Sequence, residues 1–265
     1  MRGWKWLFFR SAILTLEDTV IASGSVATLT AWVERDLVLF WDPDLPGVEV
    51  EFLSEEGVIG KSTTRKDGRA HLDVSGLSPG VHRFRARIPE ESRYHAPRSE
   101  AFVGVYETDA PILVTDIDMT LAKCSPFGFI TKSNTSVPPL IDSPLSIQML
   151  SEKFQIVYLS ARDHIFIPKT RAWLRMNGFP NGPLLLRRKR FTRESALVHK
   201  RNRLSEVKKV LSGMKYGIGD KPHDVIAYHE QGLRPVWITS KKNGSLPSET
   251  IKVSTWKEIV QQING

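Results

Sequence analysis

The sequence predicts an N-terminal all-β sandwich followed by a three-layer α/β domain with a mostly parallel sheet. From about residue 20 to 105, apolar and polar residues alternate and turn signals separate the alternating runs, as in half-buried strands. After residue 111, short apolar runs alternate with helical stretches, as in sheets covered on both faces. The 265 residues are enough for two domains. We therefore expect a basic and aromatic segment at 1–19, a β domain at 20–108 and an α/β domain at 109–265.

The N-terminal half shows the two-residue period of antiparallel strands most clearly in three stretches, 26–33, 47–53 and 81–88. Turn sequences such as Lys66-Asp67-Gly68 separate the strands at short intervals, which favours a sandwich. Three stretches between residues 45 and 84 resemble bacterial immunoglobulin-like and prealbumin-like modules. That resemblance implies an immunoglobulin-like fold with a binding or scaffolding role, and it leaves the partner of this domain open.

The C-terminal half contains five short apolar runs that we predict to be strands buried on both faces, at 112–116, 154–160, 183–187, 216–220 and 235–239. Helices are predicted between them, around 143–151 and at 165–177, 201–211 and 223–231. Strands that alternate with helices imply right-handed crossovers and a parallel sheet. In such sheets, functional groups gather at the carboxyl ends of the strands.

Charge and cysteine content limit the possible partners and location. The formal charge is +8, and residues 187–203 alone hold eight basic residues and one acid. Such a stretch suits an anionic partner or membrane surface, although a solvated loop explains it equally well. Cys124 is the single cysteine, which excludes an intrachain disulfide and fits a reducing cytoplasm. Because Arg10 and Glu17 interrupt the first apolar run, we expect a cytoplasmic protein with no transmembrane span, which meets membranes only at their surface.

Asp116 and Asp118 follow the first predicted strand of the α/β half, so their side chains are expected on the same side. Two neighbouring carboxylates need a shared proton or a cation, because like charges a few ångströms apart do not both ionise cheaply. A hard divalent cation such as Mg²⁺ resolves this conflict and also neutralises phosphate oxygens. The first carboxylate can then act as a nucleophile while the second transfers protons. Taken alone, an Asp-x-Asp pair is more often an acidic strand end without chemistry.

The polar residues at the predicted strand ends, in their order, resemble the four motifs of haloacid-dehalogenase-type phosphatases. The set comprises Asp116, Asp118, Thr120, Ser160, Lys200, and the segment Gly219-Asp-Lys-Pro-His-Asp224. The resemblance extends from about residue 111 to the C-terminus and implies a haloacid-dehalogenase-like fold. Only 39 residues separate Thr120 from Ser160, and another 39 separate Ser160 from Lys200, so we expect no large cap domain.

The same resemblance implies a nucleophile, a proton donor and a Mg²⁺ site. Asp116 is expected to attack phosphorus and form an aspartyl-phosphate. Asp118, oriented by Thr120, is expected to protonate the leaving oxygen and then activate water. Mg²⁺ is expected to be bound by Asp116, the backbone carbonyl of Asp118 and Asp220. Asp224 is either a further metal ligand or the cap of a helix beginning near residue 225.

Phosphate binding is assigned by resemblance to Ser160, Arg162 and Lys200. Ser160 could instead be an ordinary strand-end cap, and Lys189 or Arg193 could replace Lys200. Three histidines lack a partner motif and are expected in loops or at the surface: His164, His199 and His223.

Three segments resemble the catalytic domain of lipin-type and actin-patch-associated phosphatidate phosphatases: Tyr158-Leu-Ser-Ala-Arg162, 173–187 and 219–228. This resemblance implies phosphatidate or a related phospholipid as the substrate. An uncapped site would suit such a phosphate, because it is displayed on a large surface. Met119 departs from that family, whose members usually carry Gly or Asp at this place.

Three other functions remain open. A phosphatidate-binding module without catalysis is the first, although a pure binder has no need of two repelling carboxylates. A phosphatase of nucleic-acid ends is the second, and it is disfavoured because only Phe191 interleaves the basic stretch. A phosphatase of phosphoproteins or small phosphorylated metabolites is the third, and the sequence does not exclude it.

Overall fold

The computed structural model describes residues 10–37, 43–188, 194–239 and 246–264, which form a β-rich N-terminal portion and a C-terminal α/β domain. The strands of the N-terminal portion are β1 (Arg10–Leu16), β2 (Thr19–Ala22), β3 (Ala27–Arg35), β4 (Glu49–Leu53), β5 (Val58–Thr63), β6 (Arg69–Val74), β7 (Gly80–Arg87), β8 (Tyr94–His95) and β9 (Ser99–Tyr106). The first strand thus begins at Arg10, inside the segment that the sequence assigned to 1–19.

The N-terminal strands form two sheets, with the orders β6-β3-β1-β8 and β2-β9-β7-β4-β5. Alternate residues of both sheets meet in one core, with Leu14 and Leu29 from the first sheet and Phe52, Phe84 and Val103 from the second. The three predicted strands correspond to β3, β4 and β7, and they pair antiparallel with their neighbours, as predicted. The pairs β1–β8 and β2–β9 are parallel. The immunoglobulin-like topology stays a prediction.

The α/β domain contains all five predicted strands and the predicted helices. Its strands are β10 (Ile112–Thr115), β11 (Gln155–Asp163), β12 (Leu184–Arg187), β13 (Met214–Gly219), β14 (Arg234–Ile238) and β15 (Ile251–Val253). Its helices are α1 (Pro126–Thr131), α2 (Ser143–Ser151), α3 (Ile167–Met176), α4 (Ala196–Val210), α5 (Pro222–Glu230) and α6 (Trp256–Asn264), with 3₁₀ turns at Asn134–Ser136 and His164–Phe166. The sequence did not predict β15, α1 or α6, and β15 is too short to show a period.

The sheet of the α/β domain is parallel throughout, in the order β12-β11-β10-β13-β14-β15. Helices α2, α3 and α6 contribute Leu150, Trp173 and Ile259 to the core on one face. Helices α4 and α5 contribute Leu204 and Tyr228 to the core on the other face, which completes three layers. The strand order reverses at β10, and ligands of such sheets bind outside the carboxyl ends of the strands at that point.

No additional domain is inserted between these strands within the described ranges. In the same part of the chain, no helix is both long enough and apolar enough to cross a membrane.

The two portions are joined by buried polar contacts as well as apolar ones. Asp18, in the turn between β1 and β2, accepts hydrogen bonds from the backbone of Phe102 and Leu184 and from the Arg171 guanidinium on α3. Burial raises the pKa of Asp18, and Arg171 opposes that rise. Tyr106 of β9 also packs into the core beneath α4 and α5. The N-terminal portion therefore packs directly against the α/β domain, at α3 and β12 and at the core beneath α4 and α5.

His164 forms a second link between the two portions. Its Nε2 lies 2.7 Å from Oε2 of Glu34 on β3, and its ring stacks on Trp32 at a centroid distance of 4.2 Å. Both His164 and Glu34 are buried. The expectation that His164 lies in a surface loop is therefore wrong, because its partners come from a distant part of the chain.

Replacing Asp18 by Ala is expected to lower the free energy of unfolding by about 3–5 kcal/mol, because it leaves the Arg171 guanidinium buried without its main partner. Chemical denaturation monitored by circular dichroism measures the change. Asp73→Ala is the matched control, because Asp73 makes one exposed hydrogen bond, to Thr28, and its loss should cost about 1 kcal/mol or less. Equal effects of the two substitutions would contradict the role given to Asp18.

Candidate active site

Asp116 and Asp118 leave the end of β10, at the centre of the parallel sheet. Both are buried, and Ile117 between them belongs to the hydrophobic core, which places the two acids together on the other side of the chain. The Ile117 carbonyl accepts hydrogen bonds from the backbone of Leu121 and Ala122, which closes a tight turn after the pair. The two carboxylates therefore stand on an anchored segment.

Arg162 and Ser160, at the end of β11, bind the carboxylate of Asp118. The guanidinium of Arg162 donates from Nε and Nη2 to the two oxygens of Asp118, at 2.9 and 2.8 Å, and the Ser160 hydroxyl donates at 3.2 Å. Arg162 also donates to Thr170 and lies over the ring of Phe129, 3.5 Å from its centroid. Arg162 therefore positions Asp118 here, and its contact with phosphate stays a prediction.

Thr120 is not the residue that orients Asp118. Its side chain is buried, but its hydroxyl has no hydrogen-bond partner among the described residues. The Thr120 carbonyl instead accepts the indole N–H of Trp256 at 2.8 Å. The expected contact from Thr120 to Asp118 is therefore replaced by the bidentate pair with Arg162.

Lys200 lies on α4 and reaches the end of β10 from the face of the sheet that α4 and α5 cover. Its Nζ lies 2.7 Å from Oδ1 of Asp116 and 2.6 Å from Oδ1 of Asp224, and all three side chains are buried. The alternatives Lys189 and Arg193 lie outside the described residues. Lys200 thus supplies a fixed positive charge next to the acid that the sequence predicts as the nucleophile.

Asp220 and Asp224 follow the end of β13, on the other side of β10. Asp224 is at the third position of α5, where its Oδ2 accepts the backbone N–H of Lys221 at 3.1 Å. Asp224 therefore caps its helix and also faces Lys200. Gly219 makes this possible, because a Cβ atom there would lie 2.5 Å from Cβ of Asp224.

Three of the four residues predicted to bind metal form one acidic cluster. Asp116, Asp220 and Asp224 each offer a carboxylate oxygen, and these oxygens lie within 4.8 Å of one another. Carboxylate oxygens are the ligands that Mg²⁺ prefers, so the donor set fits this cation. The side chain of Asp118 is engaged by Arg162 instead, which leaves only its backbone carbonyl for the predicted contact.

The electrostatics of the cluster favour an added cation. Burial raises the pKa of Asp116 to about 7, and Lys200 opposes the rise without cancelling it. Burial disfavours the charge on Lys200, but Asp116 and Asp224 outweigh that effect and raise its pKa. Burial also raises the pKa of Asp220, with Lys221 opposing. Lys200, and Lys221 at 2.7 Å from Asp220, therefore do not fully compensate the three carboxylates, and a divalent cation would.

Two features near the site were not anticipated. His199 is buried, its Nε2 lies 3.0 Å from the Ser160 carbonyl, and burial together with Arg203 lowers its pKa to about 3. Its predicted surface position is therefore wrong, whereas His223 is half-buried. Met119 has a φ angle of +57°, in the left-handed region that favours Gly, Asn and Asp.

The described part of the basic stretch is largely paired with acids. Arg188 contacts Glu17 and Glu206, and Arg203 also contacts Glu206. Arg201 forms a two-point contact with Glu230. These pairs reduce the local excess of positive charge, so the described residues give little support to this stretch as the membrane-binding surface.

The family comparison concerns the part of the chain that carries this site. Residues 113–240 match the family model described as PITM 1-3, LNS2 domain. The matched range contains every residue of the acidic cluster together with Ser160, Arg162 and Lys200. The match supports a phosphatase-type function for the α/β domain. No curated protein matches the sequence.

Solved structures resemble the chain at low identity. The D,D-heptose 1.7-bisphosphate phosphatase from B. bronchiseptica, complexed with magnesium and phosphate, is 14% identical, covers 58% of this chain and 98% of its own, and has a TM-score of 0.46. A chain of the Pnkp1/Rnl/Hen1 RNA repair complex is 17% identical over 50% of this chain and 43% of its own, with a TM-score of 0.43. A fibronectin(III)-like module of CbhA from Clostridium thermocellum is 14% identical over 36% of this chain and 96% of its own, with a TM-score of 0.25.

Mg²⁺ is expected to raise the melting temperature of the protein, because a ligand that binds the folded state stabilises it. Asp220→Asn should remove most of this rise, since it takes one carboxylate from the cluster. Asp109→Asn, an exposed residue outside the site, is the control and should keep the full rise. Differential scanning fluorimetry with chelator and with saturating Mg²⁺ measures the shift. A full rise in Asp220→Asn would place the cation elsewhere.

Lys200→Met is expected to lower the free energy of unfolding in chelator by about 3–5 kcal/mol, because it leaves two buried carboxylates without their shared cation. Saturating Mg²⁺ should restore part of this loss. Lys209→Met, on the exposed side of the same helix, should change stability by less than about 0.5 kcal/mol. Urea denaturation of the three proteins measures the difference, and a loss for Lys200→Met no larger than that of the control would refute the assignment.

Proposed function

We propose that the chain is a Mg²⁺-dependent phosphomonoester hydrolase of haloacid-dehalogenase type, which acts on phosphatidate or a related phospholipid. The observation that carries this proposal is the convergence of Asp116, Asp220 and Asp224 at the carboxyl end of the sheet, with Lys200 and Asp118 beside them. Phosphoryl transfer depends on positioning and charge neutralisation more than on covalent chemistry by the protein. This group of residues offers both.

The proposed reaction has two steps. A carboxylate oxygen of Asp116 bonds to phosphorus while the bond from phosphorus to the leaving oxygen breaks, and Asp118 gives that oxygen a proton. Water then attacks phosphorus in the aspartyl-phosphate, Asp118 takes a proton from the water, and inorganic phosphate leaves. Mg²⁺ bound by the acidic cluster would neutralise phosphate oxygens and the charge that develops on them.

Two ion pairs of the site, Lys200 with Asp116 and Arg162 with Asp118, must be loosened when a substrate binds. Lys200 contacts Asp116, and the phosphoryl group would draw this ammonium group towards its own oxygens as Mg²⁺ takes over the carboxylates. Arg162 holds both oxygens of Asp118. At least one of these oxygens must be released before Asp118 can transfer a proton, and the negative phosphoryl group is a competing partner for the guanidinium.

A phospholipid substrate is supported by resemblance. The segments 158–162, 173–187 and 219–228 resemble lipin-type phosphatidate phosphatases. The LNS2 match covers the same region.

A second candidate function is binding of phosphatidate without hydrolysis. One observation favours it: both motif carboxylates already have a basic partner, Arg162 for Asp118 and Lys200 for Asp116. A site held in this way could accept a phosphate headgroup through the two basic side chains alone.

The purified chain is expected to release phosphate from phosphatidate micelles in Mg²⁺ and to lose this activity in chelator. Asp116→Asn should abolish release because it removes the nucleophile, and Asp118→Asn should reduce kcat by about 10²- to 10⁴-fold because it removes the proton donor. Asp109→Asn should match the wild type. A malachite-green assay measures phosphate, with nucleotides, sugar phosphates and p-nitrophenyl phosphate as competing substrates. Turnover of phosphatidate no better than that of p-nitrophenyl phosphate would count against a lipid substrate.

Binding measured separately from turnover distinguishes the two candidates. A hydrolase should lose turnover in Asp116→Asn but keep its affinity for vesicles that contain phosphatidate. Under the second candidate function, the wild type would bind these vesicles and release no phosphate with Mg²⁺.

A further inference from the structure

An apolar cavity of about 640 Å³ opens directly beside the acidic cluster. Asp220 and Lys221 form its wall on the side of the site, and Leu140, Trp237 and Trp256 contribute apolar walls. The volume lies within the range of roughly 300–1,000 Å³ that is usual for small-molecule sites. The cavity therefore has room for a sizeable group attached to a phosphate.

The two tryptophans of the cavity turn their polar atoms towards the site. The indole N–H of Trp237 donates to the Asp220 carbonyl at 2.9 Å, and that of Trp256 donates to the Thr120 carbonyl at 2.8 Å. With these donors satisfied, the tryptophans contribute apolar ring surface to the cavity. The same backbone segments therefore carry the polar site on one side and the apolar cavity on the other.

The rim of the cavity is apolar and exposed. Ile141 is 82% exposed and Met119 is 40% exposed, although both are large apolar residues. Leu145 and Met149, 64% and 52% exposed, lie four residues apart on one face of α2, which begins two residues after Ile141, and they extend the exposed apolar surface along that helix. Exposed apolar surfaces of this kind mark interaction sites.

The backbone conformation of Met119, on the rim of the cavity, is a further observation that points to this region. A side chain in the left-handed region costs about 1 kcal/mol relative to the usual backbone conformation, and glycine would avoid this cost. The chain nevertheless carries a long apolar side chain at this position, on the cavity rim and directly after Asp118. Strained positions of this kind are often associated with function.

We propose that this cavity binds an acyl chain of the phosphorylated substrate, and that Ile141, Leu145 and Met149 contact the bilayer from which the substrate is drawn. This inference rests on the proposed function. A water-soluble ester with an aromatic leaving group would also fit the cavity, but it would have no use for the exposed apolar face of α2 beyond the rim. Lys123 and Lys221 also line the cavity, together with Asp142 and Asp220. Lys221 lies 2.7 Å from Asp220, so Lys123 is the lining cation that we expect to meet a phosphate headgroup first.

The test uses the full chain with Mg²⁺ and compares three phosphate esters: dioleoyl phosphatidate in phosphatidylcholine vesicles, glycerol 3-phosphate, which lacks acyl chains, and p-nitrophenyl phosphate. The wild type should prefer the vesicle substrate to glycerol 3-phosphate. Ile141→Glu and Leu145→Glu should each lower the ratio of kcat/KM for vesicle phosphatidate to kcat/KM for p-nitrophenyl phosphate by about tenfold or more. Val58→Glu, an exposed apolar residue on β5 of the sandwich, is the matched control and should behave as the wild type.

Vesicle flotation supplies a second measurement that does not depend on turnover. Binding to phosphatidate vesicles should be reduced in Ile141→Glu and Leu145→Glu and unchanged in Val58→Glu. The proposal would be overturned if Ile141→Glu and Leu145→Glu both behaved as the wild type on vesicles. It would also be overturned if the wild type hydrolysed glycerol 3-phosphate and phosphatidate with equal kcat/KM. Failure of the proposed function is distinguishable, because no ester would then be hydrolysed while flotation would still separate the variants from the control.

Discussion

The sharing of Lys200 between Asp116 and Asp224 is the constraint on which the site depends. Carboxylates from the ends of two neighbouring strands are buried together, and their mutual repulsion must be compensated for the domain to fold. The compensation comes from a helix that crosses one face of the sheet, so folding and the assembly of the site are one event. An excess of negative charge remains, to which Asp220 contributes, and it favours a divalent cation. That cation would in turn favour a phosphate ester.

The N-terminal portion stabilises the α/β domain through contacts at β12 and just after β11. Asp18 binds the backbone at the start of β12, and Glu34 binds His164, two residues after the arginine that holds Asp118. Buried charged groups of this kind are costly when one partner is removed. The N-terminal portion is therefore part of the structure that supports β11 and β12, whatever further partner it has.

The acidic cluster and the apolar cavity lie next to each other, and this arrangement favours a substrate with one charged and one apolar end. Trp237 and Trp256 anchor to the carbonyls of Asp220 and Thr120, so the apolar walls cannot shift without disturbing the segments that carry the site. A phosphorylated amphiphile has the same division between a charged end and an apolar end. The described basic residues of 187–203 are instead largely engaged with acids.

The sequence by itself determined that a β-rich N-terminal portion precedes an α/β domain, and where the five predicted strands of that domain lie, because these depend on local period along the chain. It did not reveal which residue binds Asp118, since it gave the orienting role to Thr120 and assigned Arg162 to phosphate, whereas the folded structure brings the guanidinium onto Asp118 and over Phe129. It also missed the buried position of His164. Contacts between residues more than a hundred positions apart leave no local pattern, so the tertiary structure alone decided them.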